Sequence, residues 1–261
     1  MELSNNIAAV VTGGASGLGE GTARLLAARG VKVGIFDMNA ERGERIAKEI
    51  GGVFACVDVS DEASVDAGFE TVRAVNGQER VMINCAGIGG GMKTASRDRK
   101  TGEIRAHDAG YYAKIIGINL IGTFLCLSKS AAGMMTLEPT EPDGERGVIV
   151  NTASVAAQDG QIGQVAYAAS KGGILSMALP IARDLAREGI RCNTILPGFF
   201  ETPIYEQMKP EVKENLRAHV QFPARFGTSK EYAKVVEMLC EQVYINGEYI
   251  RADAAARMPP R

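Results

Sequence analysis

Tyr167 and Lys171 stand four residues apart in Tyr-Ala-Ala-Ser-Lys, and Ser154 lies upstream, just past an apolar run at 148–150. On a helix that spacing places the phenol and the ammonium on one face, one turn apart. A free phenol titrates at about 10 and is a poor base near neutral pH. Lowering it to neutrality needs roughly 3 pH units, or about 4 kcal/mol of preference for the phenolate. A cation one turn away, together with the positive ring of a bound cofactor, could supply that attraction. Ser154 then hydrogen-bonds a substrate oxygen while Tyr167 exchanges its proton, a set suited to alcohol–carbonyl interconversion. Alone, such a pair arises by chance in many helices, and a serine at a strand end is usually a turn or cap residue. The chemistry needs a hydride carrier encoded elsewhere in the chain.

The elements that would position these groups begin with a strand at 7–12, rich in β-branched residues. It feeds Thr12-Gly13-Gly14-Ala15-Ser16-Gly17-Leu18-Gly19, and Leu18, Thr22, Leu25 and Leu26 mark a following helix. Glycines there allow a tight turn and close approach of a pyrophosphate to a helix N-terminus. A second strand ends in Asp37, eighteen residues beyond Gly19, where a dinucleotide fold places the carboxylate that binds the adenine ribose. That carboxylate repels a 2′-phosphate, so NAD is expected over NADP. Arg42 and Arg45, on the next helix, are expected to face solvent. Asp58, beside Val59, reads either as an acceptor for the adenine amino group or as a strand-end turn residue. After a fourth strand ending at Asn84, Ala86 and Gly87 are small enough to wall a cofactor ribose. Asn119 falls in the apolar stretch of a long helix expected over 109–135. It either satisfies the backbone of a neighbouring strand or holds a water in a proton path from Lys171, or both. Pro197-Gly198 ends a later strand, with Phe199, Phe200 and Thr202 placed to meet the nicotinamide amide and roof the site.

With 261 residues and 46% hydrophobic content, the chain can bury one sizeable core, so a single domain over 1–261 is expected. Lys and Arg number 29 against 31 Asp and Glu, a balance that offers nucleic acid or an anionic membrane no general attraction. Five cysteines lack metal-ligand spacing; they read as buried thiols of a reducing compartment, with no metal site. The start of the chain has no signal-like pattern and no apolar run approaches a membrane span, so a cytoplasmic location is expected. Residues 89–108 form a polar excursion carrying Lys93, Arg97, Arg99, Lys100 and Arg105. It reads as a solvated loop or short hairpin, or as a grip on the phosphates of a large acyl carrier. A second polar insertion spans 139–147, a lid is expected within 205–227, and a last strand over 242–250. The Tyr167 helix is small or apolar nearly all round, so one face should meet the sheet and another a second subunit.

Thr12-Gly-x-x-x-Gly17-x-Gly19, Asn84-x-Ala-Gly87, Asn119, Ser154, Tyr167-x-x-x-Lys171 and Pro197-Gly198, in this order, resemble the short-chain dehydrogenase/reductase family. The likeness implies an α/β doubly wound Rossmann fold, with a seven-stranded parallel sheet flanked by helices on both faces, usually in a homotetramer. It also implies a catalytic tetrad of Asn119, Ser154, Tyr167 and Lys171. The cofactor set becomes Gly13, Ser16, Gly17, Leu18, Gly19, Asp37, Asp58, Val59, Asn84, Ala86, Gly87, Tyr167, Lys171, Pro197, Gly198, Phe200 and Thr202. The stretches 146–157, 160–167 and 179–186 are similar to type-2 3-hydroxyacyl-CoA dehydrogenases, which implies an acyl-CoA substrate and NAD. A steroid or small secondary-alcohol dehydrogenase is the alternative, and a silent NAD-binding regulator a remoter one. One departure stands out: the last strand runs into Asp253-Ala254-Ala255 where many members have Asp-Gly-Gly. A positive φ required there would cost an alanine about 1 kcal/mol.

Overall fold

The computed structural model describes residues 1–202 and 210–260. Strand and helix alternate through its first half: β1 (Ala8–Thr12), α1 (Gly17–Ala28), β2 (Lys32–Asp37), α2 (Ala40–Ile50), β3 (Val53–Cys56), α3 (Glu62–Asn76) and β4 (Val81–Asn84). The hairpin β5 (Ala95–Arg97) and β6 (Ile104–Ala106) follows. A long helix then runs as α4 (Ala109–Ile116), a π-helical turn (Gly117–Ile121) and α5 (Gly122–Met134). The second half holds β7 (Gly147–Thr152), α6 (Val165–Asp184), β8 (Ile190–Pro197), the helices Pro210–Arg217 and Ser229–Glu241, and β9 (Tyr249–Ala252). The main sheet has seven strands in the order β3-β2-β1-β4-β7-β8-β9, every neighbouring pair parallel. Chain direction across the sheet reverses between β1 and β4, so their carboxyl ends open the crevice where such sheets bind ligands.

The strands are continuous apolar runs because helices cover both faces. Ala9, Val11, Ile83, Val148 and Val150 point to one face and pack with Leu26, Ile46, Tyr232 and Val236. Val10, Met82 and Ile149 point to the other, among Val65, Phe69, Cys126 and Leu127. Side-chain caps start the helices as expected: Asp61 accepts from Ala63 N, and Thr228 with Glu231 forms a capping box.

Several expectations need correction. The last strand starts at Tyr249 rather than 242, because Asn246 and Gly247 are spent bonding the backbone of Cys192 in β8. Cys56 is exposed, so the thiols are not all buried. Arg42 is half-buried and turns toward Glu20 of α1, at 3.7 Å, rather than facing solvent. Two helical stretches, Ala109–Met134 and Val165–Asp184, are long and apolar enough to cross a membrane by length and composition, where no such run was expected. In the fold both lie against the sheet, which takes part of their apolar surface. The excursion at 89–108 contains the exposed hairpin. The 139–147 insertion is more than polar surface: Glu145 makes a buried 2.8 Å ion pair with Arg191, whose other nitrogens bond the carbonyls of Leu239 and Cys240. Of the expected lid, 203–209 lie outside the described residues, and Pro210 opens a helix.

Candidate active site

The floor of the crevice is backbone against backbone. Gly13 adopts φ +63°, and a Cβ there would stand 2.9 Å from the amide nitrogen of Ala86. Thr12 Oγ1 accepts from the amides of both Cys85 and Ala86, at 3.1 and 3.0 Å, tying the end of β1 to the end of β4. A Cβ on Gly19 would lie 2.2 Å from the carbonyl oxygen of Gly13. Gly17 also has a positive φ, +52°. Ser16 occupies the N-cap position of α1 without a side-chain cap bond. The first-turn amides, Gly17 and Leu18 among them, thus keep their preference for an anion. Asp37 is fixed beside this turn: Oδ2 accepts from Ala15 N at 3.1 Å and Oδ1 from Asn39 N at 2.9 Å. The cradle fits a dinucleotide, with no bulk in the turn and a carboxylate at the end of β2.

Other members of the expected cofactor set have additional work. Asp58 Oδ1 accepts from the amide and hydroxyl of Ser60, at 2.9 and 2.6 Å, which matches the turn reading for that oxygen. Val59 is buried and wedges against Gly122, where a Cβ would meet its Cγ2 at 2.8 Å. Asn84 is buried, and its amide donates to Asn151 Oδ1 at 2.9 Å, so this side chain joins β4 to β7. Gly198 lies against Asp253, whose Cβ would be 2.7 Å from an added Cβ. Phe199 and Phe200, which follow the end of β8, are both buried. Phe200 packs edge-on against Tyr232 in the core, and Phe199 packs with Val220 and Ala256. Thr202 is half-buried at the last described position before 203–209.

The reacting groups gather where β7 ends. Ser154 is extended and caps the short 3-10 turn Val155–Ala157 through Ala156 N at 3.1 Å, with its side chain near enough to the Tyr167 phenol to act on its ionisation. Lys171 Nζ is buried 5.9 Å from the centroid of the Tyr167 ring and donates to the Thr152 carbonyl at 2.8 Å. Burial lowers its pKa to about 8, against a smaller opposing effect of the Cys85 thiol. The Tyr167 phenol is pushed up by burial, opposed by the Ser154 side chain. The lysine alone therefore does not bring the phenol toward neutrality.

Asn119 sits in the π-helical turn, fully buried. Its Oδ1 accepts from Ile88 N at 2.8 Å, while Nδ2 donates to Ile88 O at 3.0 Å and Ser170 Oγ at 3.1 Å. Satisfying a neighbouring backbone is thus its observed role. A π-turn inside an α-helix commonly marks a functional position, and this one sets the amide against the segment after β4. A Cβ on Gly87 would meet Asn119 Oδ1 at 3.1 Å and Lys171 Nζ at 3.5 Å, so these three converge on one point. Sequence reading missed Tyr232, whose hydroxyl meets Thr152 Oγ1 at 2.6 Å beneath Lys171. Its helical periodicity gave no sign beyond core packing.

Known proteins share this chain's sequence and fold over nearly its whole length. A family model described as short chain dehydrogenase matches residues 7–213. The 3-hydroxyacyl-CoA dehydrogenase type-2 of Drosophila melanogaster is 45% identical over 257 residues, covering 98% of this chain and 99% of that protein. Its Rattus norvegicus namesake is 44% identical, over 97% of this chain and 96% of the other. A crystal structure of 3-hydroxyacyl-CoA dehydrogenase type-2 from Mycobacterium avium superposes with a TM-score of 0.89, at 40% identity and 98% coverage of both chains. Family model, relatives and structural likeness agree: the chain belongs to the short-chain dehydrogenase family and is an oxidoreductase acting on CH–OH groups.

Proposed function

We propose that this oxidoreductase interconverts 3-hydroxyacyl-CoA and 3-oxoacyl-CoA with NAD. The observation that carries the reading is the convergence of Ser154, Tyr167 and Lys171 at the end of β7, beside the glycine-lined crevice. The relatives' names support the acyl-CoA class. Support for NAD comes from Asp37, whose carboxylate stands at the crevice and disfavours a 2′-phosphate. When bound, the nicotinamide supplies the hydride acceptor or donor. The protein's own part is proton transfer and orientation. In the oxidative direction Tyr167 takes the hydroxyl proton, Ser154 hydrogen-bonds the same oxygen, and Lys171 holds positive charge beside the phenol.

The exposed hairpin carries Arg97 and Arg105, with Lys93, Arg99 and Lys100 close in sequence, cations suited to the phosphates of a CoA. A homotetramer is part of the proposal: Ile121, Phe124 and Leu179 expose 50%, 51% and 44% of their surfaces, on helices that would otherwise present apolar faces to water. So is a cytoplasmic location. NADH oxidation with acetoacetyl-CoA tests the reading, with NADPH and a ketosteroid as parallel arms. Turnover of acetoacetyl-CoA with a preference for NADH of about tenfold or more is expected. Reduction of the steroid with acetoacetyl-CoA inert would replace the substrate class, and an NADPH preference would overturn the role given to Asp37.

A further inference from the structure

The loop that separates Ser154 from Tyr167 lies directly between two catalytic groups, yet much of what holds it comes from the far end of the chain. Arg251, in β9, donates from one terminal nitrogen to Gln158 Oε1 at 2.6 Å and from the other to Asp159 Oδ2 at 2.7 Å. Its guanidinium is itself locked: Nε donates to Asp253 Oδ2 at 2.8 Å, and the carbonyl of Ala256 accepts at 3.1 Å. The side chains of Arg251, Asp159 and Asp253 are only 15%, 17% and 8% exposed. Removing the Arg251 guanidinium therefore leaves Asp159 without its ion-pair partner, while Asp253 keeps Arg257 at 3.1 Å. Past Arg251 the chain lies along the same loop. The Met258 amide donates to Asp159, Gln161 Nε2 donates to the Pro259 carbonyl, and Ile162 N to the Pro260 carbonyl at 3.0 Å. Met258 also packs against the small apolar cluster of Ala153, Val155, Ile174 and Leu196. On its other side the loop walls a cavity of about 430 Å³, shared with Lys93 and Thr94 from the approach to the hairpin and with Val165 and Ala168 of α6.

We propose that Arg251 is a positioning residue for the substrate side of the site. Through Asp159 and Gln158 it latches loop 158–164, and the segment 257–260 completes the strap. The inference rests on the catalytic reading of Ser154 and Tyr167. A loop held at both ends by a guanidinium and a strap keeps the substrate wall at a fixed distance from the phenol; slackening it misplaces substrate and leaves the glycine floor intact. Misplacement by about 1 Å can cost a hundredfold in rate.

The test uses the full-length protein and the variants Arg251→Gln, Asp159→Asn, their combination, and a truncation after Ala256. Measured quantities are KM and kcat for acetoacetyl-CoA, NADH affinity by fluorescence, and hydrogen exchange across 158–164. Each single variant is expected to raise KM or lower kcat by about tenfold, with NADH affinity within about twofold and faster exchange at Ile162. Asp159→Asn should add little in the Arg251→Gln background, because both cut one latch. Unchanged kinetics in both single variants would overturn the proposal. So would a parallel loss of NADH affinity, which marks damage to the sheet edge. Should Arg251→Gln fail to fold, Asp159→Asn and Arg251→Lys decide it by the same criteria. A parent inert toward acetoacetyl-CoA would defeat the substrate proposal instead, and the exchange at 158–164 would still judge the latch.

Discussion

Around Gly13 and Gly19 the backbone approaches itself so closely that one methyl group would collide with it. Around the hairpin β5–β6 every strand residue is exposed, and beyond its own backbone pairing it carries charged side chains such as Arg105, which pairs with Glu103. The first region is fixed by what it excludes; the second is a solvated ribbon whose side chains are unconstrained by packing. A dinucleotide has one shape, so its half of the crevice can be specified atom by atom in the backbone. If the hairpin serves substrate, as proposed, that half can change its side chains without disturbing the floor. Tyr167 and Ser154 stand at the seam between the two.

The largest test lies at that seam. Tyr167→Phe removes the proposed proton carrier and nothing from the glycine turn. Turnover should fall by about a thousandfold, within the range that proton transfer contributes, while NADH affinity stays within about twofold. Near-parental turnover in steady-state assays would remove Tyr167 from the chemistry.

The contrast between the halves can be broken with one methyl group placed twice. Gly19→Ala puts a Cβ 2.2 Å from the Gly13 carbonyl, whereas Gly89→Ala, at the start of the excursion, meets nothing within 4 Å. NADH binding should weaken at least about tenfold in the first, since overpacking a rigid contact costs about 1–3 kcal/mol. The second should bind NADH as the parent does. Equal behaviour in a binding titration would mean that the floor yields as readily as the loop.

Legibility in the sequence divides along the same line. Thr12 to Gly19 and Tyr167 to Lys171 were readable because a turn or a single helical face fixes their spacing. The doubly wound sheet was readable because apolar runs alternate with amphipathic ones. Asn119 could be picked out as a polar residue in an apolar helix, though not its partner Ile88 nor the π-turn that aims it. Asn84 entered the cofactor set through the family resemblance alone, and its place in the motif does not reveal that its amide joins two strands. Arg251 and Asp159 are 92 positions apart, and Thr152 and Tyr232 are 80 apart. No periodicity links such pairs, since only the packing of the sheet brings them together.

A smaller effect probes burial at the seam. Burial favours the neutral amine of Lys171, so the folded protein releases that proton near a pKa of about 8 and the unfolded chain near the ordinary 10.5. Between the two values the unfolded state holds more protons, and this group's contribution to stability rises with pH. Below about 8 the buried ammonium carries its full cost. NMR of protein labelled at lysine Cε should show one midpoint near 8 without cofactor. A titration in which every lysine moves near 10.5 would contradict a buried, desolvated ammonium.

The smallest effect lies in the turn that leads into the strap. Ala254 and Ala255 adopt φ of +51° and +60°, so the positive φ whose cost to alanine the sequence raised occurs twice in succession. The turn persists because it is held from outside: Ala255 N donates to Asp253 Oδ1, and the Ala254 carbonyl accepts from Gln221 N. Left-handed backbone costs an L-residue about 1–2 kcal/mol, while glycine returns roughly 0.5–1 kcal/mol by enlarging the freedom of the unfolded chain. Ala254→Gly should thus stabilise by up to about 1 kcal/mol, or about 2–4 °C in Tm for a chain of this size, with NADH affinity unchanged. Calorimetry showing a clear loss of stability would mean that the methyl group packs well enough to outweigh the strain, since Ala254 touches the cluster of Phe199, Val220 and Ala256.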